Sequence, residues 1–275
     1  MNILTNMTDP FVSTEVDRTK SRWVAKVFLE FAKPKTTLRA LFYYALSRNI
    51  PDYPICGGFV GEIRVTRLYH ENDGEKLTKW SGKAQKLGIL PADAILKEDE
   101  GEHIILPETE HCQTQRMELW LNRSAFNPLL KPICIRHGAV LVSSSDCSSE
   151  RLMQQLFDRA TCQTTVLCLS DLSAEGLSFF DNLVEAIANG RPSGAPEIRV
   201  VQGGLTPEQV LLLKIPMVSQ KKSTGEAEKK YKKCLKAYGL NHHKMAELDA
   251  LEVYCSRGIA GFCDDLLARY KLPGF

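Results

Sequence analysis

The sequence has 275 residues, of which 44% are hydrophobic and 25% charged, and 35 Lys and Arg against 33 Asp and Glu give a net charge of +2. These values are typical of a globular chain with one large domain or two ordinary ones, and they exclude wholesale disorder. They also argue against a protein that coats nucleic acid through bulk charge, although a local basic surface is compatible with them.

The cysteine pattern indicates a reducing compartment. The nine cysteines include no CxxC pair, and several lie inside apolar runs, such as Cys134 in PICIR and Cys168 in VLCLS. We therefore expect buried free thiols rather than disulfides or a zinc site. The sequence has no recognisable signal peptide and no apolar run of about 20 residues, so we expect a cytoplasmic protein without a membrane segment.

The N-terminal part begins with a polar, aperiodic stretch at residues 1–17, which we interpret as a loose tail. Apolar residues then recur at helical spacing up to residue 48, and after the break at residues 33–35 either Thr36 or Thr37 caps a second helix. Residues 18–48 contain eight basic residues against the single acid Glu30. Such a run is either a phosphate-binding face or a solvated helix surface.

A third helix is predicted after the turn at residues 72–74. It carries four lysines and ends near Gly88: Lys76, Lys79, Lys83 and Lys86. Helices combined with a turn-containing stretch predict a winged-helix DNA-binding domain over residues 18–96. The acidic, weakly patterned residues 97–116 are interpreted as a linker.

Residues 117–275 alternate between apolar strands and helices, which predicts a parallel sheet with crossover helices and C-terminal helical additions. Functional groups in such sheets lie where strands end. The predicted strand ends are Asn122, residues 143–146 and Asp171. The lysine run from residue 221 to 236 is expected to be a flexible basic surface and a second candidate for phosphate contact.

Five motifs in chain order resemble the DNA-cleaving A subunit of topoisomerase VI, whose second domain is a Toprim domain. The segment RALFY at residues 39–43 resembles its tyrosine motif, and MELWLNRSAFNPLL at residues 117–130 resembles its first acidic motif. DLSAEG at residues 171–176 resembles the Asp-x-Asp-Pro-x-Gly motif. LTPEQV at residues 205–210 and ELDAL at residues 247–251 complete the resemblance, which covers residues 36 to 265.

The resemblance implies a tyrosine nucleophile and a Mg²⁺ site. Tyr43, assisted by Arg39, takes the position of the tyrosine that attacks DNA, and a register shift of one residue would assign that role to Tyr44. In the metal site, Asn122 replaces the expected glutamate and Ser173 replaces the second aspartate.

The predicted metal ligands are therefore reduced to Asp171 and, as a substitute, Glu175, so we expect no cofactor or a weakly held Mg²⁺. Arg123 is expected to meet a phosphate directly in place of the metal, whereas Asp171 serves equally well as a helix cap in a second interpretation. Glu118, in mid-strand, is expected to be exposed.

The basic residues and the resemblance together predict a DNA-binding protein that has lost strand cleavage. The resemblance alone implies that it acts as a homodimer or within a larger complex. The residues predicted to contact DNA are Lys33, Lys35, Arg39, Lys79, Lys83 and Arg123. One alternative is an active Mg²⁺-dependent enzyme that uses Tyr43. Another is a structural subunit that binds proteins and no DNA. The sequence assigns no role to Glu247 or Asp249.

Overall fold

The computed structural model describes residues 14–48, 50–60, 63–107, 115–220 and 225–271, and it is a mixed α/β structure. The chain divides into two compact units, residues 1–96 and residues 97–275. In the described part of the chain, no helix combines the length and the apolar character that crossing a bilayer requires.

The first unit consists of three helices and short strands. Its elements are α1 (Glu15–Phe31), β1 (Thr36–Thr37), α2 (Leu38–Ser47), β2 (Cys56–Val60), β3 (Ile63–Thr66), α3 (Gly74–Lys86) and β4 (Ile95–Leu96). β2 and β3 form an antiparallel hairpin, and β1 pairs in parallel with β4. Thr37 caps α2 by accepting a hydrogen bond from the Ala40 amide at 3.1 Å, so one of the two predicted caps is confirmed.

An aromatic cluster forms the centre of the first unit. The Trp23 ring lies 4.9 Å from that of Tyr53, 5.5 Å from that of Tyr69 and 6.1 Å from that of Trp80, measured between centroids. Trp23 belongs to the apolar helical spacing predicted for α1, and Trp80 is a buried residue of α3, so the two helices bury aromatic residues against each other.

The second unit is built on a five-stranded sheet. Its strands are β5 (His103–Ile105), β6 (Gln115–Leu121), β7 (Val140–Ser143), β8 (Gln163–Leu169) and β9 (Ile198–Gly204), in the order β5-β7-β6-β8-β9. Strands β6 to β9 are parallel, whereas β5 pairs antiparallel with β7. The sheet is therefore mixed, and the expectation of an all-parallel sheet is wrong at this edge.

Helices cover the sheet, and further helices follow its last strand towards the C-terminus. They are α4 (Asn127–His137), α5 (Glu150–Arg159), α6 (Ala174–Gly190), α7 (Pro207–Leu213), α8 (Glu226–Ala237), α9 (Leu251–Tyr254) and α10 (Gly258–Lys271), with a minor ribbon of β10 (Val218–Ser219) and β11 (Lys244–Met245). Strands covered on both faces read as continuous apolar runs, which is why the sequence predicted them well.

Two segments differ from their sequence interpretation. The supposed linker at residues 97–116 supplies β5, because the short run His103–Ile105 completes the sheet edge beside β7. The supposed flexible lysine run forms helix α8 from Glu226 onwards, because Tyr231 and Leu235 give it a buried face. Residues 221–224 of that run lie outside the described residues.

Glu118 is fully buried in β6, whereas the sequence indicated an exposed position. Its carboxylate accepts two hydrogen bonds from Arg159, at 2.9 and 3.0 Å, and one from the Trp120 indole at 2.8 Å. Because helices cover both sides of β6, a mid-strand carboxylate can only be buried there with a cation and donors around it. The last turn of α5 supplies that cation.

The cysteines of the second unit that the structure describes are free thiols, and those placed in the apolar runs are buried, as predicted. Cys134 and Cys168 are buried in the described structure and form no disulfide. Burial raises the pKa of the Cys134 thiol to about 12, so this side chain behaves as a small apolar residue.

Candidate functional site at the carboxyl end of the sheet

The strand order reverses between β6 and β8, and the side chains that follow these two strands define the candidate site. The chain leaves β6 towards β7 on one side and returns to β8 on the other. Ligand-binding crevices of open α/β sheets lie at this kind of switch point, outside the carboxyl ends of the strands. Arg123 follows β6 and Asp171 follows β8, so the structure brings two of the predicted site residues together.

Arg123 is the central cation of this site. Its Nε donates a hydrogen bond to Glu98 at 2.7 Å, and its Nη1 donates to Asp249, whose side chain is fully buried. Burial alone would lower the pKa of the guanidinium, but the charges of Asp249, Asp171 and Glu98 raise it. Arg123 is therefore a permanent positive charge held among three carboxyl groups.

Glu98 is fixed by the segment that follows β6. Its Oε2 accepts hydrogen bonds from the Ala125 amide at 2.9 Å and from the Ser124 hydroxyl at 3.1 Å. Burial raises the pKa of this carboxyl, but these donors and Arg123 outweigh burial and lower it. Glu98 thus remains charged and orients Arg123. The sequence missed this role because the residue lies in the supposed linker.

Asp171 is partly buried, and its Oδ1 accepts a hydrogen bond from the Leu248 amide at 2.8 Å. Burial and the neighbouring Asp249 raise the pKa of Asp171 to about 7, although the Leu248 amide and Arg123 act in the opposite direction. The segment ELDAL at residues 247–251 therefore contributes a backbone donor and a carboxylate to the site. This gives Asp249 a physical role, as the buried counter-charge of Arg123.

Ser173 and Gly176 explain the local geometry of the DLSAEG segment. The Ser173 hydroxyl accepts a hydrogen bond from the Gly176 amide at 3.0 Å and caps α6, so the helix cap is Ser173 and the alternative that assigned it to Asp171 is wrong. A Cβ at Gly176 would lie 1.9 Å from the Asp171 carbonyl oxygen. Glycine is therefore required here because α6 begins in close contact with the end of β8.

The residues expected to hold Mg²⁺ do not fit that ion. Three positions, Asn122, Asp171 and Ser173, correspond to the metal-binding acids of the resembling motifs, and only Asp171 is a carboxylate. Ser173 is committed to the cap, and the cation Arg123 lies beside Asp171. Glu175 is exposed in the first turn of α6. Mg²⁺ prefers carboxylate oxygens in octahedral geometry. Within the described residues, no group of three His, Cys, Asp or Glu side chains is arranged to bind a metal ion.

An open cleft of about 650 Å³ adjoins this cluster. Asn122 and Arg123 line it together with Glu98, Asp99 and Glu100. The Oδ1 atom of Asn122 is buried and has no hydrogen-bond partner among the described residues. Three acids beside Arg123 oppose the approach of a DNA phosphate, so the surroundings of Arg123 favour an internal ion-pairing role over the predicted DNA contact.

In the first unit, Tyr43 is fully buried within α2. The guanidinium of Arg39 lies 4.2 Å from the centre of the Phe42 ring and 5.5 Å from that of Tyr43. The neighbouring Tyr44 hydroxyl donates to the Glu30 carbonyl at 2.9 Å. A phosphodiester therefore does not reach Tyr43 unless the side chain becomes exposed.

The basic residues predicted to contact DNA differ in their surroundings. Lys79 is exposed on α3, and Lys35 forms an exposed ion pair of 2.8 Å with Asp93. Lys83 pairs with Asp17, and Lys33 is partly buried. Exposed ion pairs contribute little stability, so such lysines remain available to a phosphate. The first unit holds 14 Lys and Arg against 10 Asp and Glu, a net charge of +4, whereas the second holds 21 against 23, a net charge of −2.

No protein-family model matches the chain, and no curated protein matches it.

Proposed function

We propose that this protein binds DNA through its first unit and resembles the A subunit of topoisomerase VI, with a winged-helix first unit and a Toprim-like second unit, but does not cleave strands. The observation that carries the proposal is the position of Arg123 among Glu98, Asp171 and Asp249. A tethered guanidinium supplies fixed positive charge beside the one retained carboxylate of the metal motif. Glu98 and Asp249 are paired with this guanidinium, so their oxygens do not bind a divalent cation while these ion pairs persist.

Two further observations support the loss of cleavage. The side chain of Tyr43 is buried, and a phenol with its ordinary pKa near 10 is a poor nucleophile at neutral pH. Attack on a phosphodiester also requires a centre that stabilises the developing charge, which in the motif is the metal.

DNA binding is supported by the uneven charge of the two units. The net charge of +4 in the first unit is concentrated between Arg18 and Arg48 and on α3, whose Lys79 is exposed. Each phosphate neutralised by a protein cation contributes about −0.9 to the slope of log affinity against log salt. A first unit that contacts six phosphates would therefore give a slope of about −5.

The test of DNA binding is fluorescence anisotropy of a labelled duplex over a range of salt concentrations. The variant Lys33→Glu, Lys35→Glu, Lys79→Glu should bind more weakly to all duplexes, with a slope reduced by about 2 to 3. The matched control is Lys97→Glu, Lys131→Glu, Arg191→Glu, which makes the same change in net charge on the second unit. Equal losses in both variants, or a flat salt response of the unchanged protein, would contradict the proposal and favour the protein-binding alternative.

The test of cleavage is a mixture of protein, supercoiled plasmid and Mg²⁺ that is denatured and examined for a covalent protein–DNA adduct. We expect no adduct, and no rise in melting temperature with millimolar Mg²⁺. An adduct that disappears in Tyr43→Phe but persists in Tyr44→Phe would overturn the proposal and establish the active-enzyme alternative.

The resemblance also implies that two copies of the chain associate, and that they act alone or with other protein subunits. Sedimentation velocity over a range of concentrations measures this directly. A monomer at all concentrations, with and without DNA, would contradict the homodimer.

A further inference from the structure

Helix α8 carries a concentration of positive charge on the otherwise acidic second unit. Residues 226–244 contain six lysines against two glutamates, a net charge of +4, whereas the whole second unit has a net charge of −2. The remainder of this unit therefore has a net charge of −6, and the segment from α8 to Lys244 is the exception. Such a local inversion of charge requires an explanation of its own.

The lysines of α8 form a defined strip. Tyr231 and Leu235 are fully buried on the face of the helix that packs on α6. Four lysines at positions i, i+3, i+4 and i+7 lie on the opposite face, and we call them the cationic strip: Lys229, Lys232, Lys233 and Lys236. Within the helix, Lys229 pairs with Glu226 at 2.5 Å and Lys232 pairs with Glu228 at 3.1 Å. Lys230 lies to the side and pairs with Asp181 of α6 at 2.5 Å.

Two histidines extend the strip. The rings of His242 and His243 are 4.1 Å apart, and His242 lies close to Lys232 and Lys236. Partial burial, His243, Lys236 and Lys232 all lower the pKa of His242, and only Glu228 raises it. Like charges collected in this way repel one another, and a bound anion relieves the repulsion.

We propose that the cationic strip with His242 and His243 binds the phosphate backbone of nucleic acid, as a contact separate from the basic residues of the first unit. The inference rests on the proposed function for the class of ligand. Lys229 and Lys236 are seven residues apart, which corresponds to about 10 Å along a helix. Phosphates of one strand advance about 3.4 Å each along the duplex axis while turning about it, so a strip of this length reaches more than one phosphate.

The same helix is poorly suited to a membrane surface. Helices that lie in the membrane interface expose an apolar face to the lipid. The apolar face of α8 is already occupied, because Tyr231 and Leu235 are buried against the protein. The exposed face carries the strip lysines and the exposed acid Glu226, and its net positive charge favours a hydrated polyanion such as a nucleic-acid backbone.

The experiment compares three variants of the full chain by duplex anisotropy over a range of salt. The strip variant is K232Q/K233Q/K236Q, the first-unit variant is K33E/K35E/K79E, and the control is K97Q/K131Q/K271Q, which matches the charge change of the strip variant. The strip variant should bind about tenfold more weakly at 0.1 M salt, with a slope lowered by about 2 to 3 relative to the control.

The histidines provide a second readout. His242 must be protonated to attract a phosphate, so affinity should rise as the pH falls through its lowered pKa, below 6.5. The variant H242Q/H243Q should lose most of this additional rise between pH 8 and pH 5.5. A rise that persists unchanged in this variant would contradict the role of the histidines.

The outcomes separate this inference from the proposed function. If the strip variant binds like its control while the first-unit variant is weakened, the inference is overturned and the proposed function remains. The reverse result supports the strip and contradicts the first-unit contact. If the unchanged protein binds no duplex, both fail. Binding of the unchanged protein to phosphatidylserine vesicles, lost in the strip variant, would then identify a membrane surface instead.

Discussion

Replacing Gly176 with alanine tests whether the glycine of the DLSAEG segment is retained for packing. The new Cβ would lie 1.9 Å from the Asp171 carbonyl oxygen and 3.1 Å from the Ser170 hydroxyl. Carbon–oxygen contacts between groups of this kind are about 3.3 Å or longer, so α6 or the end of β8 must shift by about 1.4 Å. The obstacle is backbone, which cannot rotate away as a side chain can.

The cost follows from the contacts that such a shift disturbs. The Asp171 carbonyl accepts a hydrogen bond from the Ser173 amide at 2.9 Å, whose loss costs about 1 kcal/mol. Overpacking of a fixed site adds about 1–3 kcal/mol. Alanine recovers about 0.5–1 kcal/mol through its better helix propensity. We therefore expect Gly176→Ala to lower the free energy of unfolding of the second unit by about 2–3 kcal/mol.

The measurement is hydrogen exchange of β8, followed by mass spectrometry, because a chain with two units does not give a single unfolding transition. A loss of about 2–3 kcal/mol accelerates exchange by about 30- to 150-fold. The matched control is Gly82→Ala in α3, where a new Cβ meets nothing within 4 Å. In this control, hydrogen exchange of α3 should be slightly slower than in the unchanged protein, because alanine favours the helix. Unchanged exchange of β8 in Gly176→Ala would refute the packing argument.

Two further predictions concern buried charges of the second unit. Glu118→Gln keeps an acceptor for the Trp120 indole but leaves the mostly buried Arg159 without its counter-charge, so it should cost about 3 kcal/mol, measured by hydrogen exchange of β6. Arg159→Met added to it should recover most of that loss, and no recovery would show that the cost is not electrostatic. The pKa of Asp171 is raised to about 7, so the native state holds a proton that the unfolded state releases near pH 4, and the associated stability is lost as the pH rises through 7. Asp171→Asn should therefore be more stable than the unchanged protein at pH 8 by about 2 kcal/mol, with the difference vanishing near pH 4, and a difference independent of pH would contradict this account.

Strands β6 to β8 and the helices α1 to α6 were predictable because their periodicity is local. Strand β5 was missed because three residues in an acidic stretch carry too little pattern, and only pairing with β7 makes them a strand. Helix α8 was missed because its lysines obscured the buried spacing of Tyr231 and Leu235. In both cases the structure depends on a partner that is remote in the sequence.

In the candidate site, too, residues with a local sequence signal were predictable and their remote partners were not. The predicted strand ends Asn122 and Asp171 follow β6 and β8 in the structure, and Arg123 is the neighbour of Asn122. The partners of Arg123 could not be deduced, since Glu98 lies 25 residues away and Asp249 lies 126 residues away. One signal was present: an aspartate inside the apolar run ELDAL indicates a buried carboxylate, and a buried carboxylate requires a cation.

The cap at the start of α6 can be formed by more than one residue type at position 173. Serine and aspartate are nearly equivalent as N-cap residues, since both accept the hydrogen bond from the first turn. Position 173 can therefore exchange a hydroxyl for a carboxylate while α6 keeps its start and Gly176 keeps its contact with Asp171. An engineer who wished to install a divalent-metal site could add this acid without redesigning the fold. The obstacle would be Arg123, whose guanidinium is bound to Glu98 and Asp249 and would have to be removed first.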